Sequence, residues 1–145
     1  MLPKDPNFAS RVRESFDKQR VMQLIGAELK LIKPGMCEIE IPLREDLTQQ
    51  DGFMHAGIVT TILDSACGYA AYSLMPEGSS VLSVEFKVNL LAPAKGELIC
   101  VRAEVKRPGR TLTVCTADGF AINGGESRVC ATMLATMICQ HQERQ

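Results

Sequence analysis

A single acid, Asp64, interrupts the apolar and small residues that run from Ile58 to Leu74. Just before that run lies Gln49-Gln50-Asp51-Gly52-Phe53-Met54-His55-Ala56-Gly57, dense in groups that could assist a carboxylate. Aspartate is a poor interior helix former, and a buried carboxylate without partners is costly enough to change its pKa or its surroundings. Asp64 therefore reads as a catalytic carboxylate. The first turn of the helix it sits on offers unpaired N–H groups and a positive dipole end, and Ala56 and Gly57 are small enough to let an oxyanion approach them. That combination suits acyl transfer, in which charge builds on a carbonyl oxygen while a carboxylate attacks the carbon or activates water. Asp64 follows Ala56 by eight positions, or about 12 Å along one helix, whereas both must come within about 3 Å of one carbonyl group. One chain cannot place both, so the chemistry requires two copies about a twofold axis with their core helices antiparallel.

Other chemistries find less support. Of the two histidines, His141 falls in the polar tail Gln140 to Gln145, so a Ser-His or Cys-His site would have to use His55. Cys67 is twelve positions from His55, about 18 Å along the helix, too far for activation within one chain. No GxSxG elbow, zinc-ligand spacing or glycine-rich phosphate loop is present, so neither metal nor cofactor is expected. The six cysteines stand singly in apolar runs and read as reduced core residues. A plainer reading stays open: His55 as a helix-start residue satisfied by backbone, Asp51-Gly52 as a turn, and Asp64 as a partly exposed helix residue.

The elements that must position these groups follow from periodicity. The 145 residues, 46% hydrophobic, fit one domain, residues 1–145. Phe8, Val12 and Phe16 mark an amphipathic helix over 7–20, with Asp5-Pro6 as its N-cap and first residue. Ala27, Leu29 and Leu31, then Cys37, Ile39 and Ile41 across the Pro34-Gly35 turn, alternate as a hairpin. A core helix over 56–74 precedes four period-two runs at 81–92, 97–106, 111–122 and 127–139, expected as consecutive antiparallel strands. Ser83, Glu85, Lys87 and Asn89 alternate against Leu82, Val84, Phe86, Val88 and Leu90 as a strand's wet face would, with room for one of them to face the site. With 16 Lys and Arg against 17 Asp and Glu there is no net field for nucleic acid. Neither a signal-peptide pattern nor a membrane-length apolar run occurs, so no membrane partner and a soluble, cytoplasmic protein are expected.

The run from Gln49 to Asp64, with Ser83-Val84-Glu85-Phe86 and Pro93-Ala94-Lys95-Gly96, resembles the hotdog-fold acyl-CoA thioesterases of the phenylacetate-pathway (PaaI-like) branch of the 4-hydroxybenzoyl-CoA thioesterase superfamily. The resemblance implies an α+β fold in which a long helix is wrapped by a curved antiparallel sheet, with sheets joined across a homodimer that shares two sites and pairs into a dimer of dimers. It implies hydrolysis of an acyl-CoA to a free acid and coenzyme A, with no cofactor. Asp64 would be general base or nucleophile, and the Ala56 N–H, beside Gly57, would polarise the thioester carbonyl. Gln49 would orient the reacting group or water, His55 would help hold the carbonyl or loop, and Ser83 would position water near the acid from the other chain. Arg107 and the Gly109-Arg110 turn fall where the family meets the coenzyme A nucleotide. The sequence departs from the G-x-x-H-G-G pattern at Ala56, whose methyl could narrow the acyl entrance. Two rivals share the fold: an enoyl-thioester hydratase or dehydratase using His55 and an acid, and a non-enzymatic acyl-CoA binding protein.

Overall fold

Six strands and three α-helices follow one another as α1 (Phe8–Lys18), α2 (Arg20–Ile25), β1 (Glu28–Lys33), β2 (Met36–Pro42), a 3-10 turn (Glu45–Leu47), α3 (Ala56–Tyr72), β3 (Ser79–Leu90), β4 (Leu98–Arg107), β5 (Leu112–Asn123) and β6 (Glu126–His141). The computed structural model describes residues 1–141. The α+β class and the element order match the sequence reading. Every strand pair is antiparallel, but the last four strands do not pair in succession. The sheet order is β1-β2-β4-β5-β6-β3. The chain leaves β2 near one edge, crosses the face of the sheet as α3 and enters the far edge as β3, leaving β4, β5 and β6 as the meander between.

Small side chains let the sheet close around α3, which meets every strand of it. Val59, Ile62, Leu63, Ser65, Ala66, Cys67, Tyr69, Ala70 and Ala71 are buried and take up most of the helix circumference. What stays open is a stripe at intervals of three and four: Gly57, Thr60 and Thr61, Asp64, Gly68, Tyr72. Such intervals return to one helix face. Asp64 thus lies half-buried on the one incompletely covered face, the partial exposure that the plainer reading gave it. Gly68 shares that face, although an interior glycine costs a helix roughly 1 kcal/mol against alanine.

Local departures from the sequence reading have identifiable causes. The first helix starts at Phe8 with Asn7 as its cap, because Asp5 acts from outside it, accepting the Asn7 N–H (2.8 Å) and the Arg11 Nε–H (2.7 Å). The predicted 7–20 helix divides at Gln19, and a short second helix buries Met22 and Ile25 before Gly26 ends it at φ 74°. In β1 a register shift between Leu29 and Leu31 turns Ile32, instead of Leu31, onto the core. The last strand runs on through Gln140 and His141, and the rest of the expected polar tail, 142–145, lies outside the described residues.

The most consequential irregularity is a second register shift, between Ser83 and Glu85 in β3. Ser83 lies opposite Met137, while Phe86 lies opposite Ala135 and Val88 opposite Met133, all three partners buried. Residues directly opposite in an antiparallel pair share a face. One extra residue therefore puts Ser83 on the helix-facing side together with Phe86 and Val88. Strict alternation had grouped it with Glu85, Lys87 and Asn89 on the wet side.

The far end of α3 is tied down by polar contacts. Arg11 donates to the carbonyls of Tyr72 (3.3 Å) and Met75 (2.8 Å), serving acceptors that a helix C-terminus leaves open. Ser73 is fully buried, donating to the Ala70 carbonyl (2.7 Å) and accepting the N–H of Gly35 (2.8 Å) from the β1–β2 turn. Ser73→Ala orphans that buried N–H and should lower stability by about 1–3 kcal/mol in urea unfolding. An unchanged midpoint would show that the turn reaches another partner.

Candidate active site

The Asp64 carboxylate is oriented by the strand behind it. Ser83 Oγ donates to Asp64 Oδ1 at 2.6 Å within the same chain, a contact that exists because the β3 bulge turns Ser83 toward α3. The serine thus holds its own protomer's acid. A hydrogen bond to an ionised acceptor is stronger than a neutral one, and here it leaves Oδ2 for chemistry. Beside the carboxylate opens a cavity of about 280 Å³, lined by Asp64, Gly68, Tyr69, Ser83, Met137 and Gln19. Gln19 comes from the α1–α2 junction, where its Oε1 accepts from Ser65 Oγ (3.3 Å) and the Tyr69 hydroxyl (3.4 Å). Sequence reasoning did not find Gln19, since no motif links a residue at a helix end to an acid 45 positions later.

The start of α3 forms a second, separate place. His55 is the N-cap, and the Gly57 N–H donates to its Nδ1 at 2.8 Å, so the ring proton sits on Nε2. A Cβ at position 57 would lie 3.0 Å from Nδ1 and 3.2 Å from Cε1 of that ring, which is the local reason for glycine there. The cap uses the Gly57 amide and leaves the preceding one open. Among the described residues the Ala56 N–H has no acceptor, and no non-glycine residue has positive φ, so alanine sits there without strain. His55 N–H donates to the Leu47 carbonyl (2.9 Å) and Met54 N–H to that of Ala94 (2.8 Å), fixing the approach. A cavity of about 400 Å³ lies here, lined by Ala56, Gln49, Phe53, Leu90, Leu91 and Pro93 among others.

Gln49 mainly braces its own loop. Its Oε1 accepts the N–H of Asp51 (2.5 Å) and of Phe53 (3.4 Å), and Nε2 is 3.4 Å from Asp51 Oδ2. Only the amide nitrogen end remains to meet a ligand. The Gly109-Arg110 turn reaches neither place. It borders a third cavity with Leu74 and Met75, past the other end of α3, and Arg107 and Arg110 are exposed. Gly109 has a steric cause of its own: a Cβ there would fall 2.0 Å from the Leu112 carbonyl oxygen.

The thiols offer no competing nucleophile. All six cysteines are free and buried. Burial pushes the Cys67 thiol well up, with Cys115 and Asp64 adding to the effect. Among the described residues one group has metal-like proximity, Glu38, Glu40 and Cys100. Its carboxylates are paired with Arg102 (3.3 Å) and Lys30 (3.6 Å), and burial first, then Glu38, pushes the Cys100 thiol up to about 12. The group is already neutralised on the sheet.

The cap can be tested by itself. His55→Ala should cost about 1 kcal/mol of unfolding free energy through loss of the acceptor for Gly57, measured by urea denaturation; equal stability would mean the imidazole caps nothing.

Comparison with known proteins accords with this geometry. Residues 51–127 match the family model described as the thioesterase superfamily. A crystal structure of a thioesterase family protein from Silicibacter pomeroyi is 55% identical, covers 92% of this chain and 98% of its own, and superposes with a TM-score of 0.91. A putative esterase of Saccharolobus solfataricus is 29% identical over 129 residues, 89% of this chain and 83% of that protein. Human acyl-coenzyme A thioesterase 13 is 27% identical over 110 residues, 74% of this chain and 78% of that one. With a helix wrapped in an antiparallel sheet and a family match through the loop, the helix and three of the strands, the chain belongs to the thioesterase superfamily, hotdog-fold enzymes that hydrolyse thioesters.

Proposed function

We propose that the protein hydrolyses acyl-CoA thioesters, at two sites each assembled from both protomers of a homodimer. The observation that carries this reading is where the two half-sites lie along β3. Ser83, near one end, borders the Asp64 cavity, while Leu90, at the other end, borders the Ala56 cavity. Among the described residues β3 pairs only with β6 in the sheet, so its other edge is free of a strand. Joining two such edges antiparallel about a twofold axis sets the acid end of one strand against the helix-start end of the other. The edge also needs a cover: Leu82, Val84, Phe86 and Leu90 are 53, 53, 43 and 57% exposed, on a strand of twelve residues. A long, apolar free edge invites pairing with another chain.

In the assembled site the partner's Ala56 N–H, at the positive end of its helix, stabilises charge on the thioester oxygen. Asp64, held by Ser83, attacks the carbonyl carbon or removes a proton from water, and coenzyme A thiolate leaves. The Gln49 amide nitrogen orients the reacting group or water, and His55 keeps the loop and helix start in place. Arg107 and Arg110 have no salt-bridge partner among the described residues, which supports them as contacts for coenzyme A phosphates. An apolar row across three strands, Leu82, Ile138 and Leu112, supports a second association into a dimer of dimers. None of the described helices is long and apolar enough to cross a membrane, and six free thiols fit the reducing cytoplasm.

Thiol release from acyl-CoA substrates tests the assignment. Asp64→Asn should reduce kcat by about 1000-fold or more, in the range seen when a catalytic group is removed. Ser83→Ala, which only frees the carboxylate to turn, should cost about 10- to 100-fold. Single turnover in oxygen-18 water divides the routes, because label entering Asp64 requires attack by the carboxylate. An Asp64→Asn enzyme with near-normal turnover would end the proposal.

A further inference from the structure

Gly68 has no packing reason for being glycine within the protomer. Its φ is not positive, and a Cβ built there meets no atom within 4 Å. A residue that weakens the middle of a helix, and makes room for nothing the chain itself supplies, marks space kept for something else. That space lies one turn beyond Asp64, about 6 Å along the axis, on the same open stripe and in the same cavity.

The surroundings state what would fit. Val81, Leu82 and Met137 form the apolar side of the cavity. Above it, Gln19 Oε1 takes the hydroxyls of Ser65 and Tyr69, and Ser15 Oγ lies 3.5 Å from the Tyr69 oxygen. The Ser65 and Tyr69 hydroxyls are satisfied in this way, so an apolar chain passing beneath strips neither of a partner.

We propose that Gly68 holds open the acyl channel, so that an apolar acyl chain runs from the reacting carbonyl at Asp64 across Gly68 beneath the Gln19 roof, and that the substrates are acyl-CoA thioesters whose acyl chain is long enough to reach past Gly68. An acetyl or propionyl group ends before Gly68, and a six-carbon chain passes over it. This inference rests on the thioester hydrolase reading.

The test compares wild-type protein with Gly68→Ala and Gly68→Leu, all as the full chain, using propionyl-CoA and hexanoyl-CoA, thermal melting and light scattering for oligomeric state. Wild type should favour hexanoyl-CoA. Gly68→Ala should melt higher than wild type, from its better helix propensity, while its hexanoyl-to-propionyl ratio of kcat/KM falls roughly 10-fold, the scale of one methylene in a filled pocket. Gly68→Leu should lower that ratio further. A ratio unchanged in both folded variants overturns the inference while leaving the hydrolase reading intact. So does a change of oligomeric state in Gly68→Ala, which would assign the space to the partner chain. If wild type hydrolyses neither thioester, the hydrolase reading fails and the inference goes with it.

Discussion

A rigid helix holds its acid and its free N-terminal amide about 12 Å apart, and that separation is what the rest of the structure answers. Neither group can be brought to the other by side-chain motion, since the Ala56 donor is backbone and aspartate is short. In the proposed reaction a second copy of the same helix supplies the group that the first cannot. Burial of α3 on nearly all sides makes the positions of both groups firm, and firmness is what an oxyanion site needs if it is not to reorganise during the reaction.

The devices around α3 serve that arrangement. Asp64 lies half-buried on the one uncovered stripe, and a bulge of one residue brings Ser83 round to hold it. At the other end His55 takes up the Gly57 amide, so the Ala56 amide is the one that remains unclaimed. β3 connects these places, and its unpaired edge is the one on which the proposed dimer forms. In the proposed dimer function and assembly share one geometry: the strand edge that would be a liability in a monomer is the edge along which the two half-sites would meet.

Much of this was legible in the residues, and the parts that were not share a physical type. Asp64 among apolar neighbours, the small pair Ala56 and Gly57, and the alternation of the late strands each report a local energetic demand that the sequence cannot conceal. The pairing of β3 with β6 is a long-range choice that local periodicity leaves undetermined. The bulge at Val84 changes strand parity without any glycine to announce it, so Ser83 stood on the wet face by alternation. Gln19 reaches the site only because α1 ends there, a matter of tertiary packing. The steric demand on Gly109, set by the closeness of the Leu112 carbonyl, is likewise a matter of the folded turn that no motif announces.

The most direct test asks whether one site draws on two chains. Ala56→Pro deletes the proposed donor at the first helical position, where proline is tolerated, and His55 at φ −58°, ψ 135° already has the extended backbone that a following proline requires. Ala56→Pro and Asp64→Asn chains carrying different affinity tags are coexpressed and the mixed dimer is isolated. A shared site predicts that each homodimer is inactive while the mixed dimer recovers about half the wild-type rate, from its one intact site of two. A mixed dimer as inactive as both parents would show that each site draws on a single chain, and the account would be wrong.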